Sequence, residues 1–459
     1  MKLLVVSNRL PLTVKKGKDG FEYTKTSGGL VTGLRGISDK IRFMWLGNIS
    51  GVELDEEEKK MIRKDCWEKF HSIPVFIDPV LNSNSYDGFC NAILWPITHS
   101  FKDDVAFTIK DYNAYVEYNT IFCEEICKIV EDGDIVWVHD YHLMILPEML
   151  RKKSDKSFKI MFFLHAQFPP AEIMETLACR REIVSGMAHS DLIAFHSFDY
   201  AINFDDTCRA NKVEVRSKLD AIPIGIDPAM FRSALKEEKT VERIKELREM
   251  FRGRKILLGV DRTDYIKGMP HRVKGFQRFL EKHPEFLDNV VFLQVGVPSR
   301  TSVKEYSSYI TKMNELVSET NSKFGSIESV HLYFLNKSVD FNELCALYAV
   351  SDMLLVTSLQ DGMNLVALEY ISCQNENNGV LLLSSNAGAS TTLPAAVEVN
   401  SWNTEEIADG IHRAITMSLE ERTERHEINR KAVDTFTSVE WAEKNLDGLC
   451  DDWRESLML

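Results

Sequence analysis

Short apolar runs alternate with helix-length amphipathic segments along most of this chain, and this alternation limits the folds that it can adopt. The runs of the first half are almost continuously apolar: KLLVVSN from Lys2, FMWLGN from Phe43, SIPVFI from Ser72, DIVWVHD from Asp134, KIMFFLH from Lys159 and DLIAFHS from Asp191. Such strands are typical of parallel sheets that are covered on both faces. The pattern therefore predicts an α/β fold.

A charged segment, KEEKTVERIKELREMFRGRK from Lys236, interrupts this pattern. The pattern then restarts with KILLGVD from Lys255, VVFLQVGV from Val290, HLYFLN from His331, MLLVTS from Met353 and GVLLLSS from Gly379. A chain of 459 residues is also too long for one ordinary core. We therefore predict two doubly wound Rossmann-like domains facing each other across a cleft, over residues 1–235 and 236–438. The amphipathic segment 439–459 could pack on either domain.

Composition argues against several classes of protein. Hydrophobic residues make up 44% of the chain, enough for a large interior, and the formal net charge of -14 disfavours broad binding to nucleic acid. The nine cysteines are scattered without a metal-ligand spacing, as expected for reduced thiols. The N-terminus lacks the apolar core of a signal peptide, and no apolar run reaches about 18 residues. We expect a cytoplasmic protein that binds neither nucleic acid nor membranes.

Polar and glycine-rich residues directly follow the predicted strands, at the sheet edge where such folds bind ligands. These segments are SNRLP after the first run, HDYH from His139, HAQFPPAE from His165, DRTDYIKG from Asp261 and QDGMN from Gln360. Arg262 and Lys267 bracket a short loop and can converge on one anion. Arg9 and Arg300 could serve a second anion. Four cations at predicted strand ends favour anion binding over isolated, solvated loop charges.

The segment DGMNLVALE, residues 361–369, predicts a helix N-terminus at the same edge. Gly362 allows a turn and Asn364 can cap the helix, so that backbone N–H groups and the positive helix dipole point at a ligand. Glu369 lies two turns further on and could accept hydrogen bonds from a vicinal diol. By spacing alone, Asp361 is more often a simple acid at a helix start and Glu369 a surface glutamate.

Taken in order, these motifs resemble those of the trehalose-6-phosphate synthases, retaining glucosyltransferases with two Rossmann-like domains. The motifs are SNRLP with Arg9, SGGL with Gly28 and Gly29, WLG with Trp45, YDGFCNAILWP with Tyr86 and Trp95, VHDYHL with Asp140, FFLH with His165, GVDRTDYIKG with Arg262 and Lys267, and DGMNLVALEY with Asp361 and Glu369. Each motif alone is weak evidence. Their order and number over nearly the whole chain are specific.

The resemblance implies transfer of glucose from a nucleotide sugar, usually UDP-glucose, to glucose 6-phosphate, giving α,α-trehalose 6-phosphate. It implies catalytic roles for Asp140, His165, Arg262, Lys267 and Asp361. It implies donor contacts from Gly28, Gly29, Arg262, Lys267, Asp361, Gly362, Met363, Asn364, Leu365 and Glu369, and acceptor contacts from Arg9, Trp45, Tyr86, Trp95, Asp140 and Arg300. As single residues, the two tryptophans are more often core residues than sugar platforms.

The family scheme is a front-face transfer, in which the leaving phosphate helps to deprotonate the attacking hydroxyl and no enzymic nucleophile is needed. We predict no metal and no other cofactor, because no DxD-type carboxylate pair follows a strand. His139 and His142 are the nearest candidates for metal ligands, and their spacing is weak evidence. A homo-oligomer, or a complex with a trehalose-6-phosphate phosphatase, is a further expectation from the family.

Two motifs depart from the family pattern. Gln360 stands where an arginine usually precedes DGMN, and residues 166–172 read AQFPPAE where TPFPSSE or a close variant is usual. These departures leave the donor base and the closure over the acceptor open.

The sequence leaves two alternative functions open. The first is a glucosyltransferase with another phosphorylated acceptor, such as glycerol 3-phosphate, against which Tyr86 and Trp95 argue. The second is a non-catalytic regulatory subunit, which would tolerate loss of Arg262, Lys267 or Glu369. The joint presence of these three residues argues against it.

Overall fold

A computed structural model of the protein describes residues 1–17, 20–25, 29–35, 37–38, 40–49, 53–103, 105–298, 304–326 and 329–458. The chain divides into two compact units: Met1–Ile224 with Ser438–Leu459, and Gly225–Thr437. Each unit contains a parallel sheet with helices, so the predicted α/β class with two doubly wound units is confirmed. No helix in the described ranges is both long enough and apolar enough to cross a membrane.

The strands of the first unit are β1 (Leu3–Arg9), β2 (Leu12–Lys16), β3 (Phe21–Lys25), β4 (Met44–Asn48), β5 (Ser72–Val75), β6 (Ile135–His139), β7 (Lys159–Phe163), β8 (Leu192–Phe195) and β9 (Lys218–Ala221). Strands β2 and β3 form an antiparallel hairpin. The others form one parallel sheet in the order β5-β4-β1-β6-β7-β8-β9. The strand order therefore reverses between β1 and β6, whose last residues are Arg9 and His139.

The helices of this unit before its C-terminal segment are α1 (Gly29–Arg35), α2 (Glu56–Phe70), α3 (Pro79–Ser83), α4 (Trp95–Thr98), α5 (Ile109–Ile129), α6 (Leu146–Lys153), α7 (Ala171–Met174), α8 (Arg180–Ala188) and α9 (Phe198–Ala210). A π-helix, Asn84–Leu94, joins α3 to α4, and a 3-10 turn, Tyr141–Leu143, follows β6. Helix α2 begins with a capping box, because Asp55 and Glu58 each accept a hydrogen bond from the other's backbone N–H.

The strands of the second unit are β10 (Lys255–Arg262), β11 (Val290–Val297), β12 (Leu332–Leu335), β13 (Met353–Val356), β14 (Val380–Ser384) and β15 (Val397–Val399). They are all parallel and run in the order β12-β11-β10-β13-β14-β15. This is the strand order of the dinucleotide-binding Rossmann fold, with its reversal between β10 and β13. Ligands of such sheets bind at that reversal, beyond the carboxyl ends of the strands.

The helices of the second unit are α10 (Pro228–Ala234), α11 (Glu238–Met250), α12 (Met269–Lys282), α13 (Lys304–Phe324), α14 (Phe341–Val350), α15 (Leu365–Cys373), α16 (Thr404–Thr416) and α17 (Leu419–Thr435). Short 3-10 turns are Tyr265–Lys267, Pro284–Asn289 and Gly388–Thr391. Adjacent residues of β10 face two different cores: Leu257 packs in a cluster with α12 and α16, and Leu258 in a cluster with α14 and α15. This explains why the strand is apolar at consecutive positions.

The last helices, α18 (Ser438–Leu449) and α19 (Trp453–Leu457), belong to the first unit. Trp441 of α18 is fully buried, with its ring 4.8 Å from that of Trp137 in β6 and 5.1 Å from that of Phe163 in β7. The C-terminal segment therefore supplies part of the first unit's core.

The structural division differs from the predicted boundary at residue 235. Residues 225–235 belong to the second unit, because Ile226 and Phe231 are buried in its apolar cluster. The charged segment that interrupts the pattern forms α11 of this unit. The β2–β3 hairpin and the short strands β9 and β15 were not predicted, because they lack long apolar runs.

Candidate active site

Lys267 and Asp361 form a nearly buried ion pair at the reversal of the second sheet. Nζ of Lys267 lies 2.6 Å from Oδ2 of Asp361, and the side chains are 11% and 8% exposed. The same carboxylate oxygen accepts hydrogen bonds from Ser358 Oγ at 3.0 Å and Asn364 Nδ2 at 3.1 Å. The loops that follow β10 and β13 are therefore joined through one carboxylate.

Asn364 is the N-cap of α15, as the sequence predicted. Its Oδ1 accepts a hydrogen bond from the Ala367 backbone N–H at 3.1 Å. The helix therefore begins at Leu365, directly beside the ion pair, where backbone N–H groups and the helix dipole attract anions. Met363 and Leu365, predicted as donor contacts, are half-buried and pack against the apolar cluster beneath the loop.

The turn after β14 holds the segment at 361–364 in place. The Gly388 N–H donates to the Asp361 carbonyl at 2.9 Å, and the Asp361 N–H donates to the Asn386 carbonyl at 3.2 Å. A Cβ atom on Gly388 would lie 2.0 Å from the Gly362 carbonyl oxygen, so only glycine fits there. This turn was not predicted, because a close approach between two backbones has no pattern in the sequence.

Gly268 is needed for a similar approach at the start of α12. It has a left-handed φ of 62°, and a Cβ would lie 2.1 Å from the Thr357 carbonyl oxygen. Thr357 Oγ1 in turn donates to the Gly268 carbonyl at 3.2 Å. The loop that carries Lys267 is thereby packed directly onto the end of β13.

Arg262 ends β10, beside this loop. Its side chain is 44% exposed, and Nη2 lies 3.8 Å from Oδ2 of the fully buried Asp264. Asp264 also accepts a hydrogen bond from the Ile266 backbone N–H at 3.3 Å. A guanidinium that keeps much of its surface exposed can bind an oxyanion with two N–H groups.

Arg272, which the sequence analysis missed, is a fully buried cation beneath the same loops. Its Nη1 donates to Asp261 Oδ2 at 2.6 Å and to Gln294 Oε1 at 2.8 Å, and its Nε donates to Thr357 Oγ1 at 3.0 Å. Burial raises the pKa of the Asp261 carboxyl, although Arg272 and Lys267 oppose that rise. The available signal was Gln294, a polar residue inside the apolar run VVFLQVGV.

Glu369 lies in the second turn of α15, half-buried, and its Oε2 accepts a hydrogen bond from the buried Tyr348 hydroxyl at 2.8 Å. Burial raises the pKa of this carboxyl, and the Tyr348 hydrogen bond counteracts the rise. A carboxylate oriented in this way can accept further hydrogen bonds from hydroxyl groups of a ligand.

In the first unit, Arg9 and Tyr86 are in contact at the reversal of the sheet. The Arg9 guanidinium lies 4.5 Å from the centre of the Tyr86 ring, a cation–π distance. The Tyr86 ring stacks in turn on His142, with centroids 5.6 Å apart and an interplanar angle of 8°. The residue before Arg9 is anchored as well, because Asn8 Oδ1 accepts a hydrogen bond from Tyr118 at 2.7 Å. The end of β1, the π-helix and the turn after β6 thus meet here.

Asp140 directly follows β6 in a strained backbone conformation, with φ 74° and ψ 171°. Its N–H donates to the Phe163 carbonyl at 2.8 Å, and its Oδ1 accepts from the His165 N–H at 3.3 Å. Its Oδ2 lies 3.9 Å from His142 Nδ1. Strain of roughly 1–3 kcal/mol at a non-glycine residue is typical of functional sites.

His165 lies beside Asp140 and is half-buried. Its Nε2 is 3.2 Å from Nδ1 of the fully buried His139. Burial, together with the neighbouring rings of His139 and His196, lowers the pKa of His165 well below its ordinary value. Burial lowers the pKa of His139 to about 3. Both imidazoles are therefore neutral at physiological pH.

The two predicted tryptophans make packing contacts. Trp45 is 6% exposed and donates from Nε1 to Ser7 Oγ at 2.7 Å. Trp95 is 7% exposed, with its ring 4.1 Å from that of His99 and 5.4 Å from that of Tyr141. These contacts fit the core role that the sequence analysis left open.

Three further sequence predictions have little or no structural description. Gly29 begins α1, whereas Gly28 and Arg300 lie outside the described residues.

Within the described ranges, no group of three or more His, Cys, Asp or Glu side chains could hold a metal ion.

Gly268→Ala should destabilise the second unit far more than Gly253→Ala. Both glycines have a left-handed φ, 62° and 81°, but no atom lies within 4 Å of a Cβ on Gly253. The control therefore adds only backbone strain of roughly 1–2 kcal/mol, whereas Gly268→Ala adds an overpacking cost of about 1–3 kcal/mol. Urea unfolding measures both, and equal losses would show that the contact with Thr357 is unimportant.

The chain is similar to known proteins over nearly its whole length. The sequence model of glycosyltransferase family 20 matches residues 1–451. The alpha,alpha-trehalose-phosphate synthase (UDP-forming) of Encephalitozoon cuniculi is 99% identical over 459 residues, 100% of both chains. Two solved structures are similar at 27% identity: an Escherichia coli protein bound with UDP-2-fluoro glucose (TM-score 0.87, 100% of both chains) and a Burkholderia xenovorans synthase in complex with glucose-6-phosphate (TM-score 0.86, 97% of this chain and 99% of that one). The chain therefore belongs to glycosyltransferase family 20.

Proposed function

We propose that this protein is a retaining glucosyltransferase that moves glucose from UDP-glucose to glucose 6-phosphate and forms α,α-trehalose 6-phosphate. The observation that carries the proposal is the Lys267–Asp361 pair at the N-terminus of α15, at the reversal point where Rossmann sheets bind nucleotides. The family relationship supports the substrates, because its members include UDP-forming trehalose-phosphate synthases and structures with UDP-2-fluoro glucose and glucose-6-phosphate.

The donor side would work by stabilising the leaving diphosphate. Negative charge develops on that group as the glycosidic bond breaks, and a fixed cation stabilises it without having to reorganise. Lys267 is already held by Asp361 at 2.6 Å, and Arg262, at the end of β10 before the same loop, has a side chain that is 44% exposed. The N-terminus of α15 adds backbone N–H groups. Glu369, oriented by Tyr348, would accept hydrogen bonds from the ribose hydroxyls.

The acceptor side would use residues at the reversal of the first sheet. The Arg9 guanidinium, in contact with the Tyr86 ring, would pair with the 6-phosphate of the acceptor. Asp140 and His165 would contact the reacting sugars through a carboxylate and a neutral imidazole. No residue is assigned as a nucleophile, because in the family scheme a leaving phosphate oxygen takes the proton of the attacking hydroxyl.

The proposal extends to location and assembly. None of the nine cysteines, all within the described ranges, forms a disulfide, which suits the cytoplasm, where we place the protein. The product is a phosphate ester, so a trehalose-6-phosphate phosphatase is a suitable partner that would consume it. Self-association is the second form of assembly within this proposal.

The direct test is a substrate panel of UDP-, GDP- and ADP-glucose, each with glucose 6-phosphate or glycerol 3-phosphate. We expect product from UDP-glucose and glucose 6-phosphate, with the mass of a disaccharide phosphate and both anomeric centres α by NMR. A product from glycerol 3-phosphate alone would indicate a different acceptor. No product with any pair would indicate a non-catalytic subunit.

Activity should persist in excess EDTA. Arg262, Lys267 and the start of α15 provide the positive charge that a carboxylate-bound metal would otherwise supply to the leaving diphosphate. The initial rate is measured under three conditions: in EDTA, in added magnesium and in neither. A rate that EDTA lowers more than a few-fold and magnesium restores would refute the proposed metal independence.

Arg9→Ala should lower kcat/KM for glucose 6-phosphate by about 10²- to 10³-fold, because a desolvated phosphate would lose its partner, a loss of about 3–4 kcal/mol. Any residual reaction with plain glucose should change little, because glucose has no phosphate that Arg9 could contact. The matched control is Arg63→Ala, which removes another arginine–aromatic contact, 5.0 Å from the Phe76 ring. Equal losses for the two acceptors would show that Arg9 serves the donor or the fold.

A further inference from the structure

His139 is a fully buried histidine whose role the proposed function leaves unassigned. It ends β6 and lies next to Asp140 in the chain, but its ring points into the protein, where Nδ1 is 3.2 Å from His165 Nε2. The two rings have centroids 5.3 Å apart. One proton must lie between these two nitrogens if they form a hydrogen bond, and its position determines the tautomer of both neutral rings.

The surroundings of His139 favour a lone pair, not a proton, on its other nitrogen. Nε2 is buried and has no hydrogen-bond partner among the described residues. The rings of Trp137 and Trp441 pack against His139 at 4.8 and 6.0 Å between centroids, and their Nε1 atoms are also buried without a partner there. An indole nitrogen can only donate, so an N–H on His139 Nε2 would face two rings that offer it no acceptor.

The opposite tautomer is less favourable for the same reason. It would place an Nε2–H in a pocket of aromatic rings, and an orphaned buried N–H is rarer in proteins than an acceptor with an unused lone pair. His139 therefore carries its proton on Nδ1 and donates it to His165 Nε2. His165, which is neutral, must then carry its own proton on Nδ1.

We propose that His139 is a positioning residue that fixes His165 in the Nδ1–H tautomer, so that His165 presents a hydrogen-bond donor to a sugar oxygen of the bound substrate. The proposal rests on the proposed function for the placement of His165 at the sugars. The tautomer itself rests only on the geometry within the first unit. A sugar hydroxyl or ring oxygen can accept from Nδ1–H, whereas the other tautomer would offer only a lone pair at that nitrogen.

The C-terminal helix takes part in this arrangement. Trp441 of α18 lies against both histidines, with its ring centroid 6.0 Å from that of His139 and 6.0 Å from that of His165. It also meets Phe163 of β7 edge-on at 5.1 Å. These contacts hold both rings in the orientation that the hydrogen bond needs and keep water from His139.

The test is ¹⁵N NMR of the ring nitrogens in histidine-labelled protein, with the His165 signals assigned by their loss in His165→Gln. We expect the wild type to show a protonated Nδ1 and an unprotonated Nε2 on His165. This readout does not depend on activity, so it can succeed even if the substrate panel fails. A protonated Nε2 on His165 in the wild type would overturn the proposal outright.

Two substitutions at His139 test its role in positioning. His139→Asn places an amide N–H near the position of Nδ1 and should keep the His165 tautomer, with kcat within a few-fold of wild type. His139→Phe fills the pocket without a donor and should mix the two His165 tautomers, with kcat lowered about 10- to 100-fold, the range typical when the hydrogen-bond partner that orients a metal-binding histidine is lost. KM for glucose 6-phosphate should change much less than kcat.

Controls separate this role from a structural one. His189→Phe changes an exposed histidine of the same unit and should alter neither the His165 signals nor the rate. If His139→Phe keeps the Nδ1–H tautomer and the wild-type kcat, the proposal is wrong. If His139→Phe does not fold, His139→Asn decides: a changed His165 tautomer in that variant, with unchanged circular dichroism, contradicts the assigned donor.

Discussion

The reversal of strand order in each parallel sheet determines where the candidate site residues lie. In the first unit the neighbouring strands at the reversal end at Arg9 and His139, and in the second unit the strand β10 ends at Arg262 while β13 leads to Asp361. At such a reversal the connections leave in opposite directions, which opens a crevice beyond the strand ends. In each unit, the backbone topology alone therefore places these polar and charged side chains at one edge of the sheet.

Burial then gives these polar groups fixed positions. Arg272 has partners in Asp261, Gln294 and Thr357, and Lys267 has a partner in Asp361. Burying an isolated charge in such an interior would cost several kcal/mol of folding free energy. Each of these two cations can be buried because side-chain oxygens accept its hydrogen bonds. These hydrogen bonds fix the positions of the side chains beneath the proposed diphosphate site. In the first unit the same exclusion of water acts differently, because it keeps His139 and His165 neutral instead of charged.

Much of the fold could be predicted from the sequence, because buried parallel strands are apolar at every position. The runs at Lys2, Asp134 and Lys255 all form central strands, and the cap at Asn364 lies where its side chain predicted it. The short strands β9 and β15 could not be predicted because charged residues interrupt their apolar pattern, two in KLDA and one in VEV.

The candidate site was less predictable, because its geometry depends on contacts between distant segments. Arg272 has the sequence context of an ordinary amphipathic helix, and only the register of β10 against β11 brings Gln294 to it. The approach of Gly388 to Gly362 and the bond between His139 and His165 likewise follow from tertiary packing. The motifs at Arg262, Lys267 and Asp361 could be found because they follow strands directly. The residues that pack against these motifs, such as Arg272 and Gly388, could not be predicted.

The return of the C-terminal helix to the first unit has a consequence for synthesis on the ribosome. Trp441 completes the packing around Trp137, yet the 303 residues between them, 138–440, include the whole second unit. Domains that are continuous in sequence can fold as they emerge, but the first unit can complete its core only after Trp441 has been synthesised, when the whole second unit has already been translated. The second unit can therefore complete its own core before the first, and the histidine pair is enclosed only after α18 has been synthesised.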